Sequence, residues 1–354
     1  MKRLQTLALL CVALSVLVAC NSQQKGNANK RDSVELSGAG ATFPLPFYNI
    51  VFENFHNLTG DMVAYGGIGS GGGIRNLKDG IVDFAASDAV LNEKEKSEMA
   101  PTIQIPTCMG AVVLAYNIPG IDSLNLSGEI IANIYSGKIT KWNDEKIQTL
   151  NPEIKLPAST IIPVYRSDGS GTTYIFTDYL SKISTEWNNN YGAGKSVNFP
   201  LGQAAKGNPG VAGVISQTSY SIGYIGSEYA FAQRIPYATI QNYNGEFIKP
   251  TAMSISAAAN SITDEIPTSI TDSHAKGAYP ISCYTWIIIY KEQNYSKRSE
   301  NQAKGTIELL QYILSDEAQN VTTEVHYAPL SKKVIELSKD RLNTATYNGT
   351  PITK

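Results

Sequence analysis

The sequence has little histidine and cysteine and almost no net charge. Its three histidines, His56, His274 and His326, lie far apart, and its 354 residues include four cysteines. No spacing typical of metal ligands results, so neither a metal nor a cofactor is predicted. With 29 basic and 31 acidic residues, the formal net charge is −2. This balance provides no basic face for nucleic acid and no general attraction for anions, so an anion site would have to be built locally.

A catalytic nucleophile with its base is also missing. Ser70 and Ser170 each lie between two glycines, but Ile68 and Asp168 occupy the place of the first glycine of a nucleophile elbow. No histidine follows at a convincing position. A serine hydrolase is therefore not favoured, and we expect no enzymatic activity.

The chain begins with Lys2, Arg3 and an apolar run, a pattern typical of an export signal. The run is interrupted by polar residues and is shorter than the roughly 20 residues that span a bilayer. It ends in Leu-Val-Ala-Cys20, which resembles the lipobox of bacterial lipoproteins, where cleavage before the cysteine is followed by acylation. We therefore predict a signal peptide at 1–19, lipidation of Cys20 and a flexible tether at 20–32. The alternative is a plain secretory signal with an incidental cysteine.

Apolar, β-branched runs alternate with amphipathic stretches along the rest of the chain, which indicates the α/β class. The predicted strands are 34–37, 62–66, 82–86, 111–116, 161–165, 222–225 and 284–290. The predicted helices are 44–58, 72–79, 92–99, 128–135, 172–183, 208–217 and 303–316. The segments 188–190 and 255–279 are interpreted as loops or poorly packed surface. No domain boundary follows from this local pattern.

Three glycine-rich segments share one design, a short strand followed by Gly with Ser or Thr and then a helix. They are 38–44 (GAGATFP), 66–73 (GGIGSGGG) and 166–173 (RSDGSGTT). A helix that begins at such a turn presents free backbone N–H groups and the positive end of its dipole, so it is a ready anion site. The alternative is that Ser and Thr only cap their own helices. Three such turns in one chain weaken that alternative.

The second segment also contains Gly67-x-Gly69-x-x-Gly72, with Asp88 roughly 20 residues further on. Taken literally, this is a dinucleotide-binding fingerprint. Glycine is so frequent in 66–73 that many patterns match it by chance, and the segment does not lie in the first βα unit of a nucleotide domain. Dinucleotide binding is therefore not favoured.

Charged residues lie beside two of these features. Arg166 directly precedes the third turn and could offer bidentate hydrogen bonds to an oxyanion, with Asp168 orienting its guanidinium. Asp88 follows the strand predicted at 82–86. It is either a turn or cap residue, as such aspartates commonly are, or part of the site.

The chain resembles the periplasmic phosphate-binding proteins of high-affinity phosphate ABC transporters. The resemblance runs in order from about residue 35 to the C-terminus, through GAGATFPLPFY, YGGIGSGGGI, VDFAASDAVL, VVLAYNIPG, IYSGKITKWND, LNPEIKLP, RSDGSGTTYIFTDYL, GNPGVAGVI, SIGYIGSEYA, AYPIS and YAPLS. It implies that eight residues contact phosphate, with Asp168 as partner of the binding arginine. These eight are Thr42, Phe43, Ser70, Asp88, Arg166, Ser170, Gly171 and Thr172. Where the family often has a second serine after the one matching Ser70, this chain has Gly71.

The resemblance also implies a two-lobed periplasmic-binding-protein fold of type II, each lobe a mixed sheet flanked by helices. Lobe I would comprise 33–107 plus 284–354, lobe II 114–279, and the hinge crossings 108–113 and 280–283. Cys108 and Cys283 fall one on each crossing. We infer that neighbouring hinge strands would bring them together, as a disulfide or as a close pair of thiols.

The function implied is capture of inorganic phosphate outside the cytoplasmic membrane and delivery to an ABC permease with its cytoplasmic ATPase. The protein would be an exported monomer, lipid-anchored in the periplasm or at the cell surface, and arsenate should bind as well. Asp88 would accept the proton that phosphate carries and sulfate lacks. A binding protein for another tetrahedral oxyanion and a phosphate sensor are the alternatives.

Overall fold

The computed structural model of the protein describes residues 31–259 and 264–352. Its strands are β1 (Glu35–Gly40), β2 (Met62–Gly67), β3 (Phe84–Ser87), β4 (Thr102–Asn117), β5 (Asn125–Leu126), β6 (Ile162–Arg166), β7 (Gln203–Ala205), β8 (Ser221–Gly226), β9 (Thr239–Gln241), β10 (Phe247–Ile248), β11 (Ser282–Tyr290), β12 (Thr346–Tyr347) and β13 (Thr350–Pro351). Its helices are α1 (Leu45–Thr59), α2 (Ser70–Lys78), α3 (Glu93–Ser97), α4 (Gly128–Tyr135), α5 (Glu145–Leu150), α6 (Gly171–Ile183), α7 (Thr185–Asn190), α8 (Gly207–Gln217), α9 (Ser227–Gln233), α10 (Ala252–Ala258), α11 (Glu300–Ile313), α12 (Asp316–Glu324) and α13 (Lys332–Leu342).

Eight strands form one sheet in the order β2-β1-β3-β11-β4-β8-β6-β7. The long strand β4 belongs to both ends of this sheet, because residues 102–111 pair with β11 and residues 112–117 pair with β8. We call β2, β1, β3, β11 and the first part of β4 the first half-sheet. The second half-sheet is the remainder of β4 with β8, β6 and β7. The predicted α/β class and the mixed sheets are confirmed.

Within each half-sheet the strands that lead to the glycine-rich turns are parallel. β1 pairs in parallel with both β2 and β3, and β6 pairs in parallel with both β7 and β8. The carboxyl ends of parallel strands lie at one edge of a sheet, which is where open α/β sheets bind ligands. Each half-sheet therefore carries its turns on one such edge.

Helix α1 shows why these segments fold as predicted. Pro44 precedes the first turn, where a missing N–H costs nothing, and Gly60 ends the helix in the left-handed conformation at φ 84°. Its buried face consists of five large apolar or aromatic side chains at helical spacing. These are Phe47, Tyr48, Val51, Phe52 and Phe55.

The structure corrects the prediction at β4, which is much longer than the expected 111–116. The first part of the strand contains Pro106, which cannot donate to a ladder, and the pairing with β11 shifts register there, between Thr285 and Trp286. The Asn-rich stretch 188–190 is also not a loop, since it ends helix α7, which is anchored by buried Trp187. Part of 255–279 likewise lies in helix α10.

Cys108 and Cys283 are free, buried thiols, so the disulfide considered above is not present. The register explains why. Cys108 lies opposite Thr285 and Cys283 lies opposite Gly110, so the two cysteines occupy diagonal rather than facing positions. Burial raises the pKa of both thiols well above the usual value.

The predicted signal peptide and lipidation site, including Cys20, lie outside the described residues, as does most of the tether. From Ser33 onward the chain forms one compact unit. In the part of the chain that the structure describes, no helix combines the length and the apolar character needed to cross a membrane.

Candidate anion-binding site

The three glycine-rich segments meet where the two half-sheets face each other. Helices α1 and α2 begin directly after β1 and β2, and helix α6 begins after β6. Hydrogen bonds join these segments across the junction, including Gly171 N to Ser70 Oγ at 3.0 Å and Gly71 N to the Gly169 carbonyl at 2.9 Å. Because each helix presents the positive end of its dipole here, the junction favours an anion.

Three tyrosines fix the backbone of the loop between β1 and α1. Tyr65, Tyr229 and Tyr327 donate their hydroxyls to the carbonyl oxygens of residues 41, 42 and 43, at 2.7, 2.5 and 2.5 Å. In a trans peptide the N–H points opposite to the C=O. The first two bonds therefore direct the N–H groups of Thr42 and Phe43 away from the tyrosines, as two oriented donors.

The loop before α2 is shaped to approach the other half-sheet. Gly69 has a φ of 88°, and a Cβ there would lie 2.3 Å from Asp168 Oδ2, so only glycine fits. Ser70 is fully buried. It is the first residue of helix α2 and does not cap it, because the cap position is occupied by Gly69, which has no side chain to bond. Its hydroxyl instead accepts from Gly171, in the opposite half-sheet's segment.

Arg166 is held rigidly at the end of β6. Its Nε and Nη2 donate to Asp168 Oδ1 and Oδ2 at 2.8 and 2.6 Å, and its side chain is 1% exposed. Burial by itself would raise the pKa of Asp168, but the hydrogen bonds and charge of Arg166 and the Gly207 N–H outweigh it and lower the pKa. This pairing leaves the other guanidinium N–H groups available, and Nη1 lies 3.5 Å from Thr172 Oγ1.

Asp88 follows β3 and is 1% exposed. Its Oδ1 accepts from Thr285 Oγ1 at 2.9 Å and its Oδ2 from Thr172 Oγ1 at 3.1 Å. Burial raises the pKa of Asp88 to about 6, against the hydrogen bond from Thr285 and the charge of Arg166. Since Thr172 belongs to the other half-sheet's segment, Asp88 is more than a local turn residue.

Ser170 fits the capping alternative in part. Its hydroxyl accepts from Thr173 N at 3.1 Å and so caps helix α6. A hydroxyl that accepts in this way retains its own proton as a donor. The structure thus brings all eight predicted residues into one buried neighbourhood, with Asp168 directly behind Arg166.

Two neighbours of this site were missed in the sequence. Asn208, at the start of α8, donates to the hydroxyls of both Thr42 and Thr172, whereas the sequence pattern predicts it only as part of a helix. Thr285, inside β11, bonds Asp88. The Gly-Asn pair at a helix start was a usable signal for the first, but nothing local distinguishes the second.

An ion pair also crosses the junction. Lys195 Nζ lies 2.6 Å from Glu95 Oε2, with side chains 13% and 22% exposed. Glu95 belongs to helix α3, while Lys195 belongs to the loop whose carbonyl accepts from Ser170 N. This pair adds a partly buried electrostatic link between the two sides.

Chemically, the junction combines many donors with the carboxylate of Asp88. The donors are backbone N–H groups, hydroxyls and one guanidinium. Of the two predicted carboxylates, Asp168 is paired with Arg166, whereas Asp88 accepts from hydroxyl groups. No His, Cys, Asp or Glu grouping among the described residues is arranged to hold a metal ion. Such a set can bind a small oxyanion that carries a proton of its own.

Comparison with known proteins gives the same family throughout. Residues 23–317 match the PBP superfamily domain. The phosphate-binding protein PstS of Xylella fastidiosa strain Temecula1 is 37% identical over 322 residues, which is 89% of this chain and 87% of that protein. PstS of Haemophilus influenzae strain Rd is 38% identical over 315 residues, 87% of this chain and 92% of that protein.

The fold also matches solved structures. A high-affinity periplasmic phosphate-binding protein (PfluDING) bound with phosphate superposes with a TM-score of 0.69 at 21% identity. The match covers 86% of this chain and 93% of that one. At this identity the likeness concerns the fold, and it agrees with the predicted two-lobed binding-protein architecture.

Proposed function

The chain belongs to the PBP superfamily and, within it, to the phosphate-binding proteins named PstS, and from this membership we propose that it captures inorganic phosphate and delivers it to an ABC permease for import. The observation that carries the proposal is the buried junction of donors around the Asp88 carboxylate. We propose binding without chemical conversion, which the relatives named phosphate-binding proteins support. Turnover of a generic phosphomonoester would contradict it.

We assign the phosphate contacts to the backbone N–H groups of Thr42, Phe43 and Gly171, the hydroxyls of Thr42, Ser70, Ser170 and Thr172, and the guanidinium of Arg166. This assignment is supported by their position, since all of these groups are buried, or adjoin buried groups, at one junction. Hydrogen bonds to a charged partner contribute about 1.5–3 kcal/mol each, so a handful is sufficient for tight binding. In the structure the Gly171 N–H and the Thr172 hydroxyl donate to Ser70 and Asp88, so these two contacts require the donors to turn to the anion when it binds. The Gly71 N–H, which is bonded to the Gly169 carbonyl, is not assigned.

Asp88 supplies specificity. Near neutral pH phosphate carries at least one proton, which an ionised Asp88 accepts, whereas sulfate would set two negative groups against each other without a hydrogen bond. Buried polar groups left unmatched reject a wrong ligand by roughly 10⁴–10⁵-fold. Arsenate has the same protonation pattern as phosphate and should bind. Another tetrahedral oxyanion as ligand, or a role as phosphate sensor, remains the alternative.

We propose that the half-sheets belong to two lobes that close on the anion. Lobe I comprises 33–107 and 284–354, lobe II 114–279, and the crossings lie at 108–113 and 280–283. The exchange of partners in β4 at Ala111 and Val112 supports this division. Contacts are drawn from both lobes, so binding would favour the closed arrangement.

The remaining parts of the proposal concern location. Relatives of the PstS type and the N-terminal pattern support an exported protein, which we place at a membrane through acylated Cys20, in the periplasm or at the cell surface. Its partners there would be the permease subunits with their ATPase, and it would act as a monomer. Metabolic labelling with palmitate, lost in Cys20→Ser, tests the anchor.

The proposal is tested by calorimetric titration of the purified, phosphate-stripped protein at pH 8, first with phosphate and then with sulfate. We expect tight phosphate binding and no sulfate heat. Asp88→Asn should bind sulfate measurably, because its amide can donate where the carboxylate repels. If the unmodified protein gives no phosphate heat, phosphate is the wrong ligand.

A further inference from the structure

Asn208 bridges the two sides of the site through its amide. Nδ2 donates to Thr42 Oγ1 at 3.0 Å and to Thr172 Oγ1 at 3.2 Å, and the Asn208 backbone N–H donates to Thr42 Oγ1 at 3.1 Å. The side chain is fully buried. Both hydroxyls are among the proposed phosphate contacts, although they belong to opposite lobes.

The orientation of this amide is fixed. Asn208 Oδ1 accepts from Gly226 N at 3.1 Å, so the oxygen faces a donor and the NH₂ must face the two threonines. Gly207, the preceding residue, donates its N–H to Asp168 Oδ1 at 3.0 Å. The start of α8 is thus bonded to three parts of the site.

This arrangement sets the direction of the hydroxyl protons. A hydroxyl has two lone pairs and one proton. Thr42 Oγ1 accepts twice from Asn208, so the only hydrogen bond left to it is one that it donates. Thr172 Oγ1 accepts from Asn208 and from Arg166 Nη1 at 3.5 Å, and it donates to Asp88.

Resting on the proposed function, we propose that Asn208 is a positioning residue that holds the Thr42 hydroxyl as an obligate donor toward phosphate. An oxygen facing Thr42 must then be an unprotonated acceptor. The protonated oxygen of phosphate is thereby directed to Asp88, the acceptor on the other side. Asn208 also links the proposed lobes, since its bond to Thr42 joins residues assigned to opposite lobes.

The test compares Asn208→Asp with Asn208→Ala by phosphate titration of the full-length protein at pH 8. Asp keeps the shape and the acceptor facing Gly226, but it would accept the Thr42 proton instead of donating. We expect roughly 10-fold weaker binding for Asn208→Ala and 100-fold or more for Asn208→Asp. A residue needed only for packing would show the reverse order, because Ala removes more atoms.

Thr42→Val separates the hydroxyl effect from the added charge. In that background the difference between the two Asn208 substitutions should shrink at least several-fold, because the hydroxyl they act on is gone. Asn151→Ala is the matched control, a buried asparagine with three hydrogen bonds to backbone groups away from the site. It should lower the melting temperature without changing phosphate affinity.

If Asn208→Ala does not fold, Asn208→Ser takes its place, and thermal melting of each variant verifies the fold. Binding by both Asn208 variants within about twofold of the unmodified protein, or equal losses with and without the Thr42 hydroxyl, would overturn the inference. Failure of the unmodified protein to bind phosphate would overturn the proposed function itself and this inference with it.

Discussion

The protonation state of Asp88 should determine which anion the site accepts. Its pKa is raised to about 6 by burial, so it is ionised at pH 8 and mostly protonated at pH 5. A protonated carboxyl can donate to sulfate, and a dianion beside it stabilises the protonated form further. Discrimination against sulfate should therefore depend on pH, and it should weaken as the pH falls toward the raised pKa of Asp88.

We predict that sulfate affinity rises as the pH falls. Because sulfate binds only with Asp88 protonated, affinity should increase about 10-fold for each pH unit between 8 and 6 and level off below the pKa. Competition titrations at pH 5, 6, 7 and 8 measure this. In Asp88→Asn the sulfate affinity should lack this slope. A flat profile in the unmodified protein would mean that Asp88 does not exclude sulfate.

At this scale the sequence predicts residue types better than their partners. Arg166 with Asp168 could be proposed as a pair because the two are near neighbours in the chain. Asn208 could not be connected to Thr42, because the contact joins residues 166 positions apart and depends on how the halves meet. Thr285 occupies an apolar strand, where a threonine reads as an ordinary β-former.

Among the elements, the loop between β1 and α1 depends on the tyrosines that bond its carbonyls. Tyr327 lies between helices α12 and α13, Tyr229 belongs to helix α9, and Tyr65 belongs to β2. Each of these hydrogen bonds fixes the orientation of one peptide group of the loop. The loop is thus preorganised before any ligand arrives, which reduces the cost of binding.

Tyr229→Phe should weaken phosphate binding roughly 5- to 20-fold, because the peptide that carries the Phe43 N–H loses the bond that orients it. Calorimetric titration at pH 8 gives the affinity. Tyr116→Phe is the matched control, since Tyr116 is buried too but its hydroxyl has no hydrogen-bond partner in the described residues. Equal affinities for the two variants would exclude a positioning role for the Tyr229 hydroxyl.

The elements themselves were predicted where local pattern is strong. Helix α1, with Pro44 before it and Gly60 after it, lies within one residue of its predicted range. The first part of β4 was missed because Pro106 and the neighbouring polar residues weaken the strand pattern, and tertiary pairing with β11 overrides it. Helix α7 was missed for a similar reason, since asparagine is a poor helix former and buried Trp187 holds the turn.

For the molecule as a whole, Gly171 is a point where the two halves of the site approach each other closely. A Cβ there would lie 2.6 Å from Asp88 N and 2.7 Å from Ser70 Oγ. In the proposed division both neighbours belong to the opposite lobe, so we expect the collision to arise on closure. Helix α6 itself would accept alanine at this position without strain.

Gly171→Ala should therefore keep the fold but lose at least 100-fold in phosphate affinity. Its melting temperature without phosphate should stay close to that of the unmodified protein, and the stabilisation by added phosphate should largely disappear. Gly213→Ala is the control, because a Cβ there meets nothing within 4 Å. Unchanged phosphate affinity in Gly171→Ala would show that the lobes do not approach this closely when the anion is bound.

The place of β11 between β3 and β4 has a consequence for how the chain folds as it is synthesised. Trp286 pairs with both Ser87 and Pro106, so the first half-sheet cannot be completed until the C-terminal segment has emerged. The residues of the second half-sheet can assemble earlier. Such long-range pairing slows folding and leaves two strand edges open meanwhile. Because synthesis proceeds from the N- to the C-terminus, the half-sheet whose strands emerge first is the last to be completed.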